Sequence, residues 1–193
     1  GYKAELVKRV LQKYDVVFAL QNEQFGTAHA LKSALPYIDK HRSSLLVLCG
    51  DVPFIRTETL ESMLHSHKES QADLTILTGF IDNPSGYGRI VRNHTGNIVS
   101  IVEDKDATEE EKKIKEFNSG IYLFDCEKVF ETIDLVRNDN AQGEFYLTDL
   151  ARIFISKGYK VTTYYANDVM ELIGINSQQE LARAERLYFE RRI

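Results

Sequence analysis

The chain contains few residues of the kinds that mark secreted, membrane-spanning or disordered proteins. Its 193 residues include 2 cysteines, 3 prolines and no tryptophan. Two isolated cysteines, Cys49 and Cys126, do not indicate a disulfide framework, which agrees with a reducing compartment. No apolar run approaches the ~20 residues of a membrane helix, and the start lacks the basic-then-apolar pattern of a signal peptide. We therefore expect a soluble cytoplasmic protein that does not enter a membrane.

An excess of basic residues is also missing. The net charge is -5, and lysines and arginines are dispersed along the chain. Nucleic-acid grooves need clustered basic side chains against phosphates, so we expect no nucleic-acid partner. Small phosphorylated ligands remain compatible with this charge, because a bound divalent cation can neutralise them locally. The length suits one core, and we predict a single domain over residues 1–193.

Short apolar runs alternate with amphipathic patterns, which is typical of an α/β protein. A right-handed crossover from a first strand at 15–20 to a second at 45–49 would make these strands parallel. We therefore predict a Rossmann-like nucleotide-binding fold with a mixed, mainly parallel sheet. The other predicted strands are 73–80, 86–91, 98–102, 117–124 and 159–165, with 86–102 as a hairpin, and the predicted helices are 3–13, 28–35, 57–68, 127–136, 145–156 and 177–193.

The segment 45–53 carries the strongest single candidate for a functional residue. Four apolar residues precede Cys49, Gly50 and Asp51, a pattern that indicates a strand buried on both faces and ending at a polar site. Ligands of open α/β sheets bind beyond the carboxyl ends of strands. Asp51 is therefore a candidate for chemistry. The alternative is that it caps the next helix or closes a turn.

Asn176 follows a second short apolar run, at residues 172–175. Magnesium prefers a few protein oxygen ligands that leave room for waters and phosphate oxygens. We predict that Asp51 and Asn176 together hold Mg²⁺. The alternative for Asn176 is a helix cap before the helix that starts at Ser177, a role that asparagine favours.

A polar loop at 21–27 follows the first predicted strand. The amide of Gln21 offers one donor and one acceptor, which can match the edge of a uracil. Gly26 and Thr27 stand beside it in the same loop. The alternative is a surface loop in which Gly26 is a turn residue and Thr27 caps the following helix.

Three more candidates lie at the ends of later strands. Gly88 belongs to a Gly-Tyr-Gly run that allows a ligand close to the backbone, although a hairpin start explains the run equally well. Glu103 and Asn118 each stand beside polar neighbours at a strand end. The residues themselves leave the roles of these two side chains open.

Together these segments resemble a known family, the uridylyltransferase domain of bacterial N-acetylglucosamine-1-phosphate uridylyltransferase. The similarity spans nearly the whole chain in the same order. The matching runs are Gln21–Ala30, Cys49–Pro53, Gly86–Ile90, Ile101–Thr108, Asn118–Ile121, Asn140–Asp149 and Gly174–Asn176.

The resemblance implies a role for each candidate. It implies Mg²⁺ as cofactor, held by Asp51 and Asn176, with Asp51 as the catalytic residue. The implied nucleotide-binding residues are Gln21, Gly26, Thr27, Cys49, Gly50 and Asp51, and the implied sugar-binding residues are Gly88, Glu103, Asn118 and Asn176.

The reaction implied by the resemblance is the transfer of UMP from UTP to N-acetylglucosamine-1-phosphate. The products are UDP-N-acetylglucosamine, a precursor for peptidoglycan and cell shape, and pyrophosphate. The family members are often multifunctional and form homotrimers. Two alternatives stay open: a nucleotidyltransferase for another sugar-1-phosphate, and a non-catalytic module that binds nucleotide sugars.

The family pattern extends beyond this sequence at both ends. Family members begin with a strand, a glycine-rich basic loop and a lysine that embrace the triphosphate, whereas residues 1–6 resemble a point past that loop. We therefore expect an N-terminally incomplete domain without turnover of its own. The helix at 177–193 would lead to a β-helix domain for acetyl transfer, which this sequence lacks.

Overall fold

The computed structural model describes residues 3–190, without the side chains at 183, 187, 189 and 190. Predictions for residues 1–2 and 191–193 lie outside these residues. Within the described residues, six α-helices and a six-stranded sheet confirm the predicted α/β class. The helices are α1 Ala4–Leu11, α2 Thr27–Ala34, α3 Thr57–Ser70, α4 Cys126–Thr132, α5 Asp149–Ser156 and α6 Gln178–Glu190, and the strands are β1 Ser44–Val47, β2 Leu74–Phe80, β3 Arg89–Arg92, β4 Ile98–Val102, β5 Glu116–Asp125 and β6 Val161–Tyr165.

The sheet is mixed, as predicted, but it is mainly antiparallel. Its order is β4-β3-β5-β2-β6, and β1 also pairs with β5. Within the described residues only β2 and β6 form a parallel pair, so the prediction of a mainly parallel sheet is wrong. The cause is the central strand β5. It follows the β3–β4 hairpin and runs opposite to β1, β2 and β3, its three neighbours.

The predicted strand at 15–20 does not form. These residues have no regular structure, and Val17 is 73% exposed. The predicted right-handed crossover from this strand to β1 is therefore wrong as well. A β-branched run becomes a strand only where another strand pairs with it, and within residues 3–190 nothing pairs with this segment. β1 is likewise not buried on both faces, since Leu46 is 41% exposed.

Helices cover both faces of the sheet. On one face Phe124 of β5 packs with Phe154 of α5, and on the other Phe117 packs with Met63 of α3. All four side chains are fully buried. This is the three-layer arrangement typical of α/β domains. None of the helices within residues 3–190 has the length and apolar character that crossing a membrane requires.

A bulge interrupts β5 in its middle. The register with β2 changes between the pair Ile76 and Tyr122 and the pair Thr78 and Asn118. Gly120 lies inside the bulge with φ 78°, and a Cβ there would come within 2.7 Å of Cys49 Sγ. Only glycine suits this backbone conformation and this close approach. The bulge therefore lets the end of β1 pass directly over β5.

The loop before α2 is held by the segment before α5. Phe145 donates its backbone N–H to Phe25 O at 2.7 Å, and Ala28 donates to Phe145 O at 2.8 Å. Residues 145–148, predicted as the first turn of a helix, are used for this pairing, so α5 begins at Asp149. Gly26 lies at the contact with φ 110°, and a Cβ there would be 2.6 Å from Phe145 O.

Gly26→Ala is expected to destabilise the protein. The substitution adds backbone strain and a contact with the fixed backbone at residue 145, for a combined loss of about 2–4 kcal/mol in the free energy of unfolding. Gly50→Ala is the matched control, because nothing lies within 4 Å of a Cβ at Gly50. Urea unfolding measures both variants. An equal loss in the two would contradict the steric account.

Candidate functional site

Asp51 and Asn176 lie beside each other, although 124 positions separate them in the sequence. Asn176 Nδ2 is 3.4 Å, and Asp51 Oδ2 is 3.5 Å, from the position that a Cβ on Gly174 would occupy. Both residues are exposed, whereas Gly174 is buried. Because Gly174 has no side chain, the space beside it, next to the exposed side chains of Asp51 and Asn176, is not filled.

Backbone contacts hold the two segments together. Ile175 donates its N–H to Asp51 O at 2.8 Å, and Gly174 donates its N–H to the hydroxyl of Tyr87 at 3.0 Å. The helix cap predicted as the alternative for Asn176 is made by its neighbour, because Ser177 Oγ accepts from the N–H of Glu180 at 3.2 Å. Capping therefore leaves the side chain of Asn176 unused.

Magnesium binding by Asp51 and Asn176 stays a prediction. Within residues 3–190, neither side chain has a protein hydrogen-bond partner, and no group of three or more His, Cys, Asp or Glu could hold a metal. A zinc-type site is thus not found in the described part. One carboxylate and one amide oxygen suit a hard cation that completes its shell with waters and phosphate oxygens.

Three of the four predicted sugar-binding residues also come together. Asn118 Cβ is 3.5 Å, and Glu103 Oε2 is 3.6 Å, from the position that a Cβ on Gly88 would occupy. The backbone adds to the cluster, since Asn118 donates its N–H to Gly88 O at 2.8 Å. Gly88 precedes β3, Glu103 follows β4 and Asn118 lies in β5, so the antiparallel hairpin is what brings them together.

Glu103 is the acid of this cluster, and its pKa is raised. Burial raises the pKa of its carboxyl, and the negative charges of Asp106, Asp149 and Asp104 add to the rise. One hydrogen bond opposes it, because Thr148 Oγ1 donates to Glu103 Oε1 at 2.9 Å. A partly buried acid held by one hydroxyl can accept further hydrogen bonds from a polyhydroxylated ligand.

The bulge of β5 orients Asn118. Its Oδ1 accepts the N–H of Gly120 at 3.1 Å, and its Nδ2 donates to the hydroxyl of Tyr122 at 2.6 Å. Burial raises the pKa of Tyr122, so this hydroxyl stays neutral. Asn118 is itself buried. Its amide is therefore fixed by the bulge before any ligand arrives.

Gln21, Gly26 and Thr27 form a third cluster. Gln21 Nε2 donates to Gly26 O at 3.1 Å and lies 3.1 Å from His29 Nδ1. The hydroxyl of Thr27 accepts the N–H of Leu147 at 2.9 Å. Here the amide of Gln21 stabilises its own loop. Recognition of a uracil by this residue stays a prediction.

Cys49 lies close to both Asp51 and Glu103. Its thiol donates to Gly120 O at 3.3 Å, and burial, with the charges of Asp51 and Glu103, raises the pKa of the thiol to about 11. The neutral thiol is a packing and hydrogen-bonding group. Gly50 next to it is exposed and has open space around it, so a ligand can approach the backbone beside Asp51.

A polar cavity of about 420 Å³ borders this region. Glu103, Tyr146 and Thr148 line it together with the acids Asp106 and Asp149. A cavity of about 480 Å³ between β1 and α3 is more apolar, and none of the predicted site residues lines it. Of the predicted site residues, Glu103 lines the polar cavity. A third cavity, of about 440 Å³, is lined by Tyr87, Gly174 and Ile175.

Sequence reasoning missed three residues of the site. Tyr87 contacts the Asn176 segment, Tyr122 holds Asn118, and Thr148 holds Glu103. Tyr87 stands inside the Gly-Tyr-Gly run, and the glycine at 120 within a strand indicates a bulge, so local signals existed for two of these contacts. Thr148 carries no local signal, because its partner lies 45 residues away.

The raised pKa of Glu103 predicts a pH-dependent stability. Between the usual 4.5 and the raised pKa, the folded protein binds more protons at this group than the unfolded chain does. This contribution to stability is therefore full below 4.5 and is lost as the pH rises through the raised pKa. Glu103→Gln keeps an acceptor for Thr148 and cannot ionise. As the pH rises from about 4 to about 7, we expect the stability of Glu103→Gln to increase relative to that of the wild type.

Urea unfolding across this pH range measures the effect. Glu61→Gln is the matched control, because Glu61 is exposed on α3 and its replacement removes the same charge outside any buried site. Parallel stability curves for wild type and Glu103→Gln would show that Glu103 is not perturbed.

Comparison with known proteins identifies relatives along nearly the whole chain. The nucleotidyl transferase family matches residues 2–171. The chain is 46% identical over 187 residues to "Bifunctional protein GlmU" of Clostridioides difficile, covering 97% of this chain and 40% of that protein. The protein of the same name from Bacillus licheniformis is 45% identical over 193 residues, covering 100% and 42%, and that from Exiguobacterium sibiricum is 48% identical over 185 residues, covering 96% and 41%. The chain thus spans about two fifths of the length of these relatives. By the extent of the family match, the chain belongs to the nucleotidyl transferase family.

Proposed function

We propose that the whole protein transfers UMP from UTP to N-acetylglucosamine-1-phosphate, giving UDP-N-acetylglucosamine and pyrophosphate for cell-wall synthesis. The observation that carries this proposal is the convergence of Asp51 with Asn176 next to the cluster of Gly88, Glu103 and Asn118. Family membership and the relatives named bifunctional protein GlmU support it.

In this reaction an oxygen of the sugar-1-phosphate attacks the α-phosphorus of UTP, and pyrophosphate leaves from the opposite side. No covalent intermediate with the protein is needed. The residues contribute by aligning two anionic substrates, and alignment is a large source of rate in such transfers. Gln21, Gly26 and Thr27 would hold the uridine, and the backbone at Cys49 and Gly50 would line the nucleotide beside Asp51.

Nucleotidyl transferases generally use a divalent metal ion, and we propose Mg²⁺ here. Asp51 and Asn176 would hold it, since both side chains are exposed and lie beside Gly174. When bound, the ion supplies positive charge that offsets the charge of the phosphate oxygens.

The sugar would be held by the Gly88 cluster. Glu103 is partly buried and accepts from Thr148, which leaves its second oxygen for a sugar hydroxyl. Asn118 is already fixed by Tyr122 and Gly120, so binding costs little further ordering of its amide.

The test is an assay of the full-length protein with pairs of sugar phosphate and nucleotide. We expect turnover with UTP and N-acetylglucosamine-1-phosphate to exceed turnover with glucose-1-phosphate, or with dTTP, by at least about tenfold. Preference for glucose-1-phosphate would favour another sugar nucleotidyltransferase. Calorimetric binding of UDP-N-acetylglucosamine without any turnover would favour a non-catalytic nucleotide-sugar module.

Asp51→Ala is expected to lower turnover of the full-length protein by about 10²-fold or more, because it removes a proposed metal ligand. The residue is exposed, so its removal should leave the unfolding midpoint nearly unchanged. Asp82→Ala is the matched control, since Asp82 is an exposed aspartate that pairs with Lys115 on the surface. Metal-dependent turnover that survives in Asp51→Ala would contradict the role.

We also infer that the whole protein acts in the cytoplasm as a homotrimer. The cysteines support the compartment, because both Cys49 and Cys126 are free thiols. Sedimentation of the full-length protein at the mass of a monomer or dimer would contradict the trimer, and recovery from a cell fraction other than the cytosol would contradict the location.

A further inference from the structure

Glu171 is a fully buried carboxylate that accepts hydrogen bonds from two residues that follow Asp51 in the sequence. Its Oε1 accepts from Arg56 Nε at 2.6 Å and also from Arg56 Nη2. Its Oε2 accepts the backbone N–H of Arg56 at 3.2 Å and the hydroxyl of Thr59 at 2.6 Å. Glu171 is 0% exposed. Both carboxylate oxygens of Glu171 therefore accept hydrogen bonds from the protein.

These contacts join the two segments that carry Asp51 and Asn176. Arg56 lies five residues after Asp51 and precedes α3, and Glu171 lies five residues before Asn176 in a 3-10 turn at Val169–Leu172. The same segments meet a second time where Ile175 donates to Asp51 O. Two connections at separate points fix both the distance and the rotation of one segment relative to the other.

We propose that Glu171 is a positioning residue for nucleotidyl transfer, which fixes the Asn176 segment against the Asp51 segment through Arg56 and Thr59. This inference rests on the proposed function. The carboxylate touches neither substrate, and it acts only through the segments that it joins.

The chemistry of the contact favours a positioning role over a stabilising one. Replacing a buried ion pair by apolar side chains often leaves the stability unchanged. A contribution to stability alone therefore does not explain this ion pair well. Burial by itself would raise the pKa of Glu171, but the hydrogen bonds from Arg56 and Thr59 outweigh it and lower the pKa. The carboxylate is therefore ionised at neutral pH, and its charge-assisted hydrogen bonds are directional.

The chain offers a matched control for the test. Glu116 is also buried and accepts two hydrogen bonds from one arginine, at 2.7 Å from Arg92 Nε and 2.6 Å from Arg92 Nη2. This pair connects β5 with β3 and does not join the segments of Asp51 and Asn176. Glu171→Gln and Glu116→Gln thus make the same chemical change at two buried glutamate–arginine contacts.

The experiment measures kcat and KM of the full-length variants with UTP and N-acetylglucosamine-1-phosphate, and hydrogen exchange of the Ile175 amide. We expect Glu171→Gln to lower kcat by about 10-fold or more, with a smaller change in KM, because misplacement affects alignment more than binding. We also expect faster exchange at Ile175. Glu116→Gln should change neither quantity.

A second pair of variants covers the case in which Glu171→Gln does not fold. Thr59→Val removes one donor to Glu171, and Thr59→Ser keeps it. We expect a lower kcat and faster exchange at Ile175 in Thr59→Val, and values near wild type in Thr59→Ser. Equal kcat and equal exchange in the two would overturn the proposal, as would a Glu171→Gln variant that matches Glu116→Gln in both readouts.

The exchange measurement separates this inference from the proposed function. If the wild-type protein does not transfer UMP, the proposed function fails. The exchange rates at Ile175 then still decide whether Glu171 holds the two segments together. If the wild type is active and the Glu171 variant keeps its kcat, only the positioning role fails.

Discussion

The structure depends on the bulge in β5. This strand pairs with β1, β2 and β3, so its path sets the positions of the strands that surround the site. The bulge brings Gly120 under the thiol of Cys49 and turns the amide of Asn118 toward Tyr122. One local irregularity therefore fixes both the end of β1, where Asp51 follows, and the centre of the proposed sugar site. Bulges in strands are often found next to active sites for this reason.

The site is assembled mainly by backbone contacts between distant segments. Ile175 bonds to Asp51, Asn118 bonds to Gly88, and the loop of residues 25–28 pairs with residues 145–147. Because the backbone carries the positioning, the side chains of Asp51 and Asn176 remain exposed for a ligand. The contacts of Thr148 with Glu103 and of Tyr87 with Gly174 then connect the clusters to one another.

Local patterns predicted the elements of the fold better than their arrangement. The helices at α1, α2 and α3 and the β3–β4 hairpin follow from helical spacing and turn residues, which act within a short stretch of chain. The antiparallel pairing of most strands, and the lack of a strand at residues 15–20, did not follow from these local patterns. Both depend on which strand lies alongside, and a run of apolar residues does not specify its partner. The apolar pattern of α1 likewise predicts a buried face, yet this helix has no buried residue.

The sequence by itself determined most of the elements, the candidate residues at strand ends and, through the order of its motifs, the resemblance to a nucleotidyltransferase. From the residues alone, Asp51 and Asn176 were equally compatible with capping. Only the tertiary structure decided that they share one exposed space beside Gly174 and that Ser177 does the capping. Only the tertiary structure also revealed the buried contact of Glu171 with Arg56 and Thr59. The physical reason is distance along the chain: contacts across more than 100 residues leave no local pattern, because they arise when the sheet brings separate strand ends together.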